Sequence, residues 1–384
     1  MVAKQVSYTV DVNGAPASSA VLNAIRRIEV EDHAGMADML RLRVAVAVKD
    51  DGSGWTILDD DLFSRLARVK VSVTVGSAQA VELIDAYVVE VDTNFESTPN
   101  GSELIVTCMD STVLMHLEEK VKAWPNMKDS EVASAIFSDG AYGFTPVVDE
   151  TKWSRQENDQ TLLQRGTDIQ FLHQLADRNG YECFVQSTDG GQIEGHFHPP
   201  KHDGQPQGTL TVNMGAATNV NKFRARFDML GPTTASATTL DPSDASSQKS
   251  DSTSATQAEG MGEAPAVPAD RQRKVLLSQL GMAQAGEAQL YSQSVVDRSS
   301  WAIVADGEVS TITYGGLLRA KQPVMVRGVG RQFSGRYYVE RVRHLISSDG
   351  TYVQRFSLRR NATGLTGQES FKSDDAVPSM GAAA

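Results

Sequence analysis

Apolar residues alternate with mostly polar ones over long stretches of the first hundred residues. Val6, Tyr8, Val10 and Val12 form one run, Leu40, Leu42, Val44, Val46 and Val48 a second, and Val69, Val71, Val73 and Val75 a third. A period of two gives a strand one buried face and one face toward solvent or a partner. Asn100-Gly101 lies between two apolar runs and predicts a hairpin. Several antiparallel strands at this spacing predict a small barrel over residues 1–110.

The pattern changes near Asp110. Residues 111–119 predict a helix with Asp110 or Ser111 as N-cap, and residues 130–137 predict another. A third helix is marked at both ends. Thr167 and Gln170 make a capping-box pair, Phe171, Leu172, Leu175 and Ala176 an apolar stripe, and Asn179-Gly180 a stop. Residues 181–185 return to strand, so 111–205 reads as an α/β insertion. Residues 206–232 carry the next strands, at 210–212 and 223–227. Residues 233–270 collapse into Ser, Thr, Ala, Asp, Gln, Gly and Pro, which predicts a flexible segment, because such a composition buries too little area to offset chain entropy. A helix over 287–302 lies within a segment 271–305. Strands follow over 306–362, and 363–384 is a loose tail.

Two distant segments share one pattern. Val69, Val71 and Val73 precede Tyr87-Val88-Val89-Glu90-Val91, Asn100-Gly101 and Leu104-Ile-Val106. Val324 and Val326 precede Tyr338-Val339-Glu340-Arg341-Val342, Asp349-Gly350 and a strand through Phe356 and Leu358. Any two β-meanders look partly alike; the alternative is one barrel present twice. The fold class this implies is α+β, mainly β, with two small antiparallel β-barrels flanking an α/β insertion.

Length and charge narrow the function. At roughly 150 residues per domain, 384 residues make two or three domains, and 40% hydrophobic residues suffice for their cores. Lys and Arg number 36 against 48 Asp and Glu, a net charge of -12 that does not attract a phosphate backbone, so no stable nucleic-acid partner is expected. No run of about 18 apolar residues predicts a membrane anchor. The first residues lack the apolar core of a signal peptide, so the expected location is the bacterial cytoplasm. Cys108 and Cys183 sit in apolar, strand-like surroundings and read as buried thiols.

Catalytic patterns are missing. There is no Gly-x-Ser-x-Gly, phosphate-binding loop, dinucleotide fingerprint or His-Glu-x-x-His. His196, His198 and His202 are metal candidates, since imidazoles two apart on a strand share a face. However, no Cys or fourth ligand adjoins them, and Pro199-Pro200 ends the strand after His198. Packing or surface histidines are the preferred reading. No catalytic residue, metal or cofactor is assigned.

The segment Gln164-Arg-Gly-Thr-Asp168-Ile-Gln-Phe-Leu172-His-Gln-Leu175-Ala-Asp-Arg-Asn-Gly180-Tyr181 resembles the helix motif of phage late-control D proteins and of the hub half of type VI secretion spike proteins. His196-Phe-His-Pro-Pro200 and Gly335-Arg-Tyr-Tyr338-Val-Glu-Arg-Val342-x-His344 follow in the family's order, from about residue 5 to 362. Ile25-Arg-Arg-Ile-Glu-Val-Glu-Asp-His33 and Met214-Gly-Ala-Ala-Thr-Asn219 resemble hubs of extracellular contractile injection systems. Thr167, Asp168, Phe171, Leu172, Leu175, Gly180 and Tyr181 are the motif positions, with a structural role.

The resemblance implies a non-enzymatic baseplate hub. It would be a homotrimer that adapts a sixfold tail tube on one side to a threefold spike on the other, among other baseplate proteins, in a phage-like particle that can be released. The chain ends at Ala384 without a repeat-rich extension, so a separate spike polypeptide is expected. The alternatives are a carrier or spike component of a type VI-like system and, further off, a tail-associated hydrolase.

Overall fold

The computed structural model describes residues 6–98, 101–154, 161–188, 190–240, 247–256, 261–277 and 285–367, with residues 369 and 371. The first unit runs through β1 (Val6–Val12), β2 (Ala15–Pro16), α1 (Ser19–Ala24), β3 (Ile25–His33), β4 (Met39–Ala45), β5 (Arg68–Val75), β6 (Val81–Asn94) and β7 (Glu103–Met109). The alternation in sequence is the alternation in space. Leu40, Leu42 and Val44 of β4, Val69, Val71 and Val73 of β5, and Leu104 and Val106 of β7 all point into one core. Full burial of such a side chain stabilises by about 1.5–3 kcal/mol. Val48 extends the apolar pattern but lies past the end of β4 and is exposed. The link from β6 to β7 spans residues 95–102 rather than a two-residue turn, and Asn100 lies outside the described residues.

The insertion comprises β8 (Glu119–Trp124), α2 (Asp129–Phe137), β9 (Thr145–Val148), β10 (Leu162–Thr167), α3 (Asp168–Asn179), β11 (Glu182–Ser187) and β12 (Ile193–His198). The helix expected over 111–119 is only a 3₁₀ turn, Ser111–His116, capped by Asp110, whose carboxylate accepts from the Thr112 N–H at 2.9 Å. From Glu119 the chain is already strand. In α3 the capping box is present in both directions, and Gly180 closes the helix in the left-handed conformation at φ 67°. Phe171, Leu172, Leu175 and Ala176 are buried in a separate core with Val132, Phe137 and Phe197.

The second unit follows: β13 (Thr209–Thr211), β14 (Lys222–Phe227), β15 (Thr233–Leu240), β16 (Ser247–Ser252), β17 (Ala264–Pro265), β18 (Arg273–Leu277), α4 (Ala285–Ser299), β19 (Ile303–Ser310), α5 (Thr311–Tyr314), β20 (Pro323–Arg327), β21 (Gly335–Ser347), β22 (Tyr352–Arg360) and β23 (Ala362–Thr363). This corrects the flexible segment expected over 233–270. Its described residues include β15 and β16, which with β18 just beyond it form a three-stranded sheet, β16-β15-β18, that packs against α4. Ala235, Ala237, Thr239 and Ser252 are buried there, as are Ala288 and Ser292 of the helix. Short side chains let helix and sheet approach closely, so packing is achieved without large aliphatics. Residues 241–246, 257–260 and most of the expected tail lie outside the described residues.

The two barrels are corrected as well. The molecule is α+β and mainly β, but no barrel closes among the described residues. Both units belong to one sheet, in the order β14-β19-β22-β21-β3-β4-β7-β6-β5-β1-β2, with β20 pairing β21 and β13 pairing β20. Cys108 on β7 and Cys183 on β11 are free and buried, and burial pushes the Cys108 thiol up to about 12 and Cys183 higher still. No helix of the described residues is long and apolar enough to cross a membrane.

Candidate assembly interface

The sheet contains one five-stranded unit twice. In the first, the chain visits β3, β4, β5, β6 and β7 and arranges them 5-6-7-4-3; in the second it visits β14, β19, β20, β21 and β22 and arranges them 20-21-22-19-14. The spatial order is therefore identical. The irregularities coincide too. A β-bulge falls between Val88 and Glu90 against β7, directly after Tyr87-Val88, and between Val339 and Arg341 against β22, directly after Tyr338-Val339. Leu66 and Lys321 both take the left-handed conformation, at φ 60° and 66°, and both donate their N–H at 2.9 Å to the carbonyl of the bulge-flanking valine, Val88 or Val339. Long side chains seldom occupy that region, so its recurrence marks a common backbone. Bulges are specific local features rather than noise.

The units meet where the C-terminal half of β21 pairs with β3, antiparallel, from Arg341↔His33 to Ser347↔Arg27. The strand edges are charged with opposite sign. Arg343 pairs with Glu29 at 2.5 Å and Arg341 with Glu31 at 3.6 Å. Among the described residues two equivalent edges lack a neighbour: β14 pairs only with β19, and no strand pairs with the outer edge of β6 beyond the bulge.

A buried ion cluster clasps both units to the insertion. The Lys321 ammonium donates to Asp32 at 2.8 Å and to Asp38 at 2.9 Å, and it stands 4.9 Å over the Phe184 ring of β11. The Asp38 N–H donates to Asp110 at 2.7 Å. Burial alone would raise the Asp32 carboxyl, but Lys321 and Arg319 hold it low. Burial raises Asp38, and the carboxylates of Asp32 and Asp110 add to this against Lys321. Beside the cluster, the Tyr338 hydroxyl donates to Glu182 at 2.5 Å, joining β21 to β11. Burial pushes the Glu182 carboxyl up to about 7, against that hydrogen bond and Arg359. Asp32 and Asp38 flank one turn, but Asp110 and Lys321 lie far from them in sequence, and no pattern in the chain announces the cluster.

The motif residues have mechanical surroundings. Asp168 accepts from Lys120 at 2.6 Å, Tyr142 at 2.7 Å and Gln164 at 2.6 Å, and Gln164 in turn accepts from the Trp124 indole at 3.0 Å. Burial opposes the Asp168 charge, but these donors keep its pKa below the ordinary range. They tie the β8–β10 ribbon to the start of α3. The Tyr181 ring packs at 5.3 Å on Phe197.

The histidines are also packed. His196 and His198 lie 3.2 Å apart ring to ring, His196 stacks on Phe184 at 4.5 Å, and His198 and His202 approach the carbonyls of Pro199 and Pro200 at 2.8 and 3.2 Å. Burial pushes His196 down to about 3. Among the described residues no group of three His, Cys, Asp or Glu side chains is arranged to hold a metal.

Solved phage tail proteins share this fold over nearly the whole chain. A 43 kDa tail protein of prophage MuSo2 from Shewanella oneidensis aligns over 92% of this chain and 98% of its own at 14% identity, with a TM-score of 0.61. A tail protein from Neisseria meningitidis MC58 aligns over 93% and 97% at 11% identity, with a TM-score of 0.63. An E. coli protein described as a component of the type VI secretion system, structurally similar to the T4 bacteriophage tail proteins gp27 and gp5, aligns over 91% and 76% at 10% identity, with a TM-score of 0.54. The fold is thus that of phage-tail and type VI secretion proteins, as the resemblance to contractile-tail hubs implies. No curated protein sequence matches. A family model described as the Alg8 N-terminal domain matches residues 2–348, and the chain belongs to that family, whose description differs from the late-control D name.

Proposed function

We propose that this chain is a non-enzymatic hub of a contractile, phage-tail-like particle, working as a homotrimer between a sixfold tail tube and a threefold spike. The observation that carries the reading is the duplicated unit, with one strand order, one bulge position and one left-handed residue in each half. Three copies then offer six similar surfaces to a hexameric ring while keeping threefold symmetry toward the spike. Catalysis has no part in this role. The buried clasp and the packed motif helix serve stiffness, which a part that transmits force along an axis requires. The fold shared with phage tail proteins and a type VI secretion component supports the setting.

Reconstruction of the assembled particle tests this. The expected result is three copies between the last tube ring and the spike, with both units around the channel. Six identical copies around the axis, or a place in the sheath or tube body, would refute the reading.

A further inference from the structure

We infer that a cavity between α3 and the second unit binds a small primary alkylammonium ion, with the Glu182 carboxylate as its counter-charge. The site belongs to the single chain and is independent of the hub reading. The cavity measures about 160 Å³ and opens where the β3–β4 turn, the ends of α3 and α4, the start of β11 and the paired strands β21 and β22 come together. Its space follows from the residues around it. Ala34 and Gly35 of the turn and Ala176 and Gly180 of α3 bring no side chain long enough to fill it. A cavity of about 150 Å³ admits benzene, with its six carbons. A chain of about four carbons ending in nitrogen therefore suits this one in size.

The wall carries four carboxylates, and three of them are taken. Glu340 pairs with Arg359, and Asp177 pairs with Arg298 at 2.9 Å. Asp297 accepts from the Thr256 N–H at 2.5 Å and from the Gln293 amide at 3.2 Å. Glu182 is left. One of its oxygens accepts from the Tyr338 hydroxyl at 2.5 Å, and the other accepts nothing among the described residues. Arg359 and Lys321 act on Glu182 at a distance, but each is bonded to another carboxylate, Lys321 to Asp32 and Asp38. His173 brings no competing charge, because burial holds its pKa below the ordinary range. The wall thus has an acceptor without a cation, while its own cations are already paired. Trp301 completes it, with its ring 5.9 Å from that of Tyr338. A carboxylate and an aromatic wall both favour an ammonium head, and neither favours an anion.

Binding and ionisation are coupled at this carboxyl. Burial raises Glu182 to about 7, and an ammonium beside it favours the charged form. From pH 6 to pH 8 a carboxyl of that pKa goes from roughly one-tenth to roughly nine-tenths ionised, while an alkylamine keeps its proton. Affinity should therefore rise about tenfold over that range. Of the groups that face Glu182, Tyr338 is raised well above its ordinary value by burial, and Arg359 and Lys321 keep their charge. Asp38 titrates in the same range beside Lys321, so the slope is assigned by comparison with Glu182→Gln.

The test is a titration of the purified full-length chain with n-butylammonium chloride at constant ionic strength, followed by calorimetry and by the thermal unfolding transition. Saturable binding with an upward shift of the transition is expected. The neutral analogue n-butanol and the anion butyrate should give neither. Glu182→Gln keeps an acceptor for Tyr338, and it should weaken binding at pH 8 about tenfold or more and remove the pH slope. Trp301→Leu keeps an apolar wall and should weaken binding about fivefold. Each variant is read beside its own unfolding transition without amine. If either fails to fold, the contrast of n-butylammonium with n-butanol on the unaltered chain decides. No saturable binding, equal binding of n-butanol, or full binding by Glu182→Gln with the pH slope kept would overturn the site.

Discussion

The two five-stranded units share a backbone plan and almost nothing else. Where Leu42 faces Val106 in the first, Gly307 faces Phe356 in the second, so the large and small partners have changed places across the same pair of strands. A Cβ on Gly307 would come within 2.3 Å of the Phe356 ring and 2.5 Å of the Lys222 carbonyl oxygen. Where β3 turns to β4 through residues 34–38, β14 reaches β19 only after residues 228–302, which carry the small-residue sheet and α4. The difference shows what repetition has kept: strand order, bulge and edge geometry. Core composition is free as long as volume balances, and the hairpin tip is free because it lies outside the ladder.

The largest effect is expected from making the units alike at their left-handed residue. Lys321→Leu installs the residue that Leu66 provides in the first unit, so the backbone conformation has a precedent and the charge alone is lost. Asp32 and Asp38 then lose the ammonium they share, with only Arg319 left at 4.0 Å from Asp32, and stability should fall by about 3–5 kcal/mol in chemical denaturation. A loss below about 1 kcal/mol would mean that the strand joint holds the units without the clasp. Next is Gly307→Leu, which overpacks the second unit and should cost about 3 kcal/mol. Adding Phe356→Val recreates the first unit's pair and relieves the ring contact but not the one with the Lys222 carbonyl, so it should recover only part of that loss. Strictly additive losses in the double variant would break the volume-exchange account.

The smallest effect concerns the contact of the second unit with the insertion. Because burial raises the Glu182 carboxyl to about 7 in the folded state, its contribution is favourable at low pH. That contribution is lost as pH rises from the ordinary glutamate range through about 7. Glu182→Gln keeps an acceptor for Tyr338, should flatten that part of the pH profile, and should gain about 1–2 kcal/mol at pH 8. An unchanged profile would show Glu182 ionised in the native state.

Local features were legible in the chain. The period-two valines of β5, the capping box at Thr167 and Gln170, and the Tyr-Val echo all express themselves within a few residues. Closure was not legible, because whether β21 meets β3 or its own unit depends on a pairing across some three hundred residues that periodicity does not encode. The segment from Thr233 was misread for a different reason. Apolar composition measures burial by large side chains, and Ala235 and Ala237 pack by proximity to a helix. The clasp was invisible because an isolated Asp32 or Lys321 looks like any surface charge until the fold removes the water. The joint between the units was written in the chain as charge runs, acidic near Glu29 and basic near Arg341, but its meaning needs the strand order.

Cys108 and Cys183 carry a separate consequence. Burial keeps both as neutral S–H groups, and oxidants act mainly on exposed thiolate. Passing from a reducing to an aerated medium therefore leaves both thiols as they are, and no cross-link between them changes the shape the chain has when built.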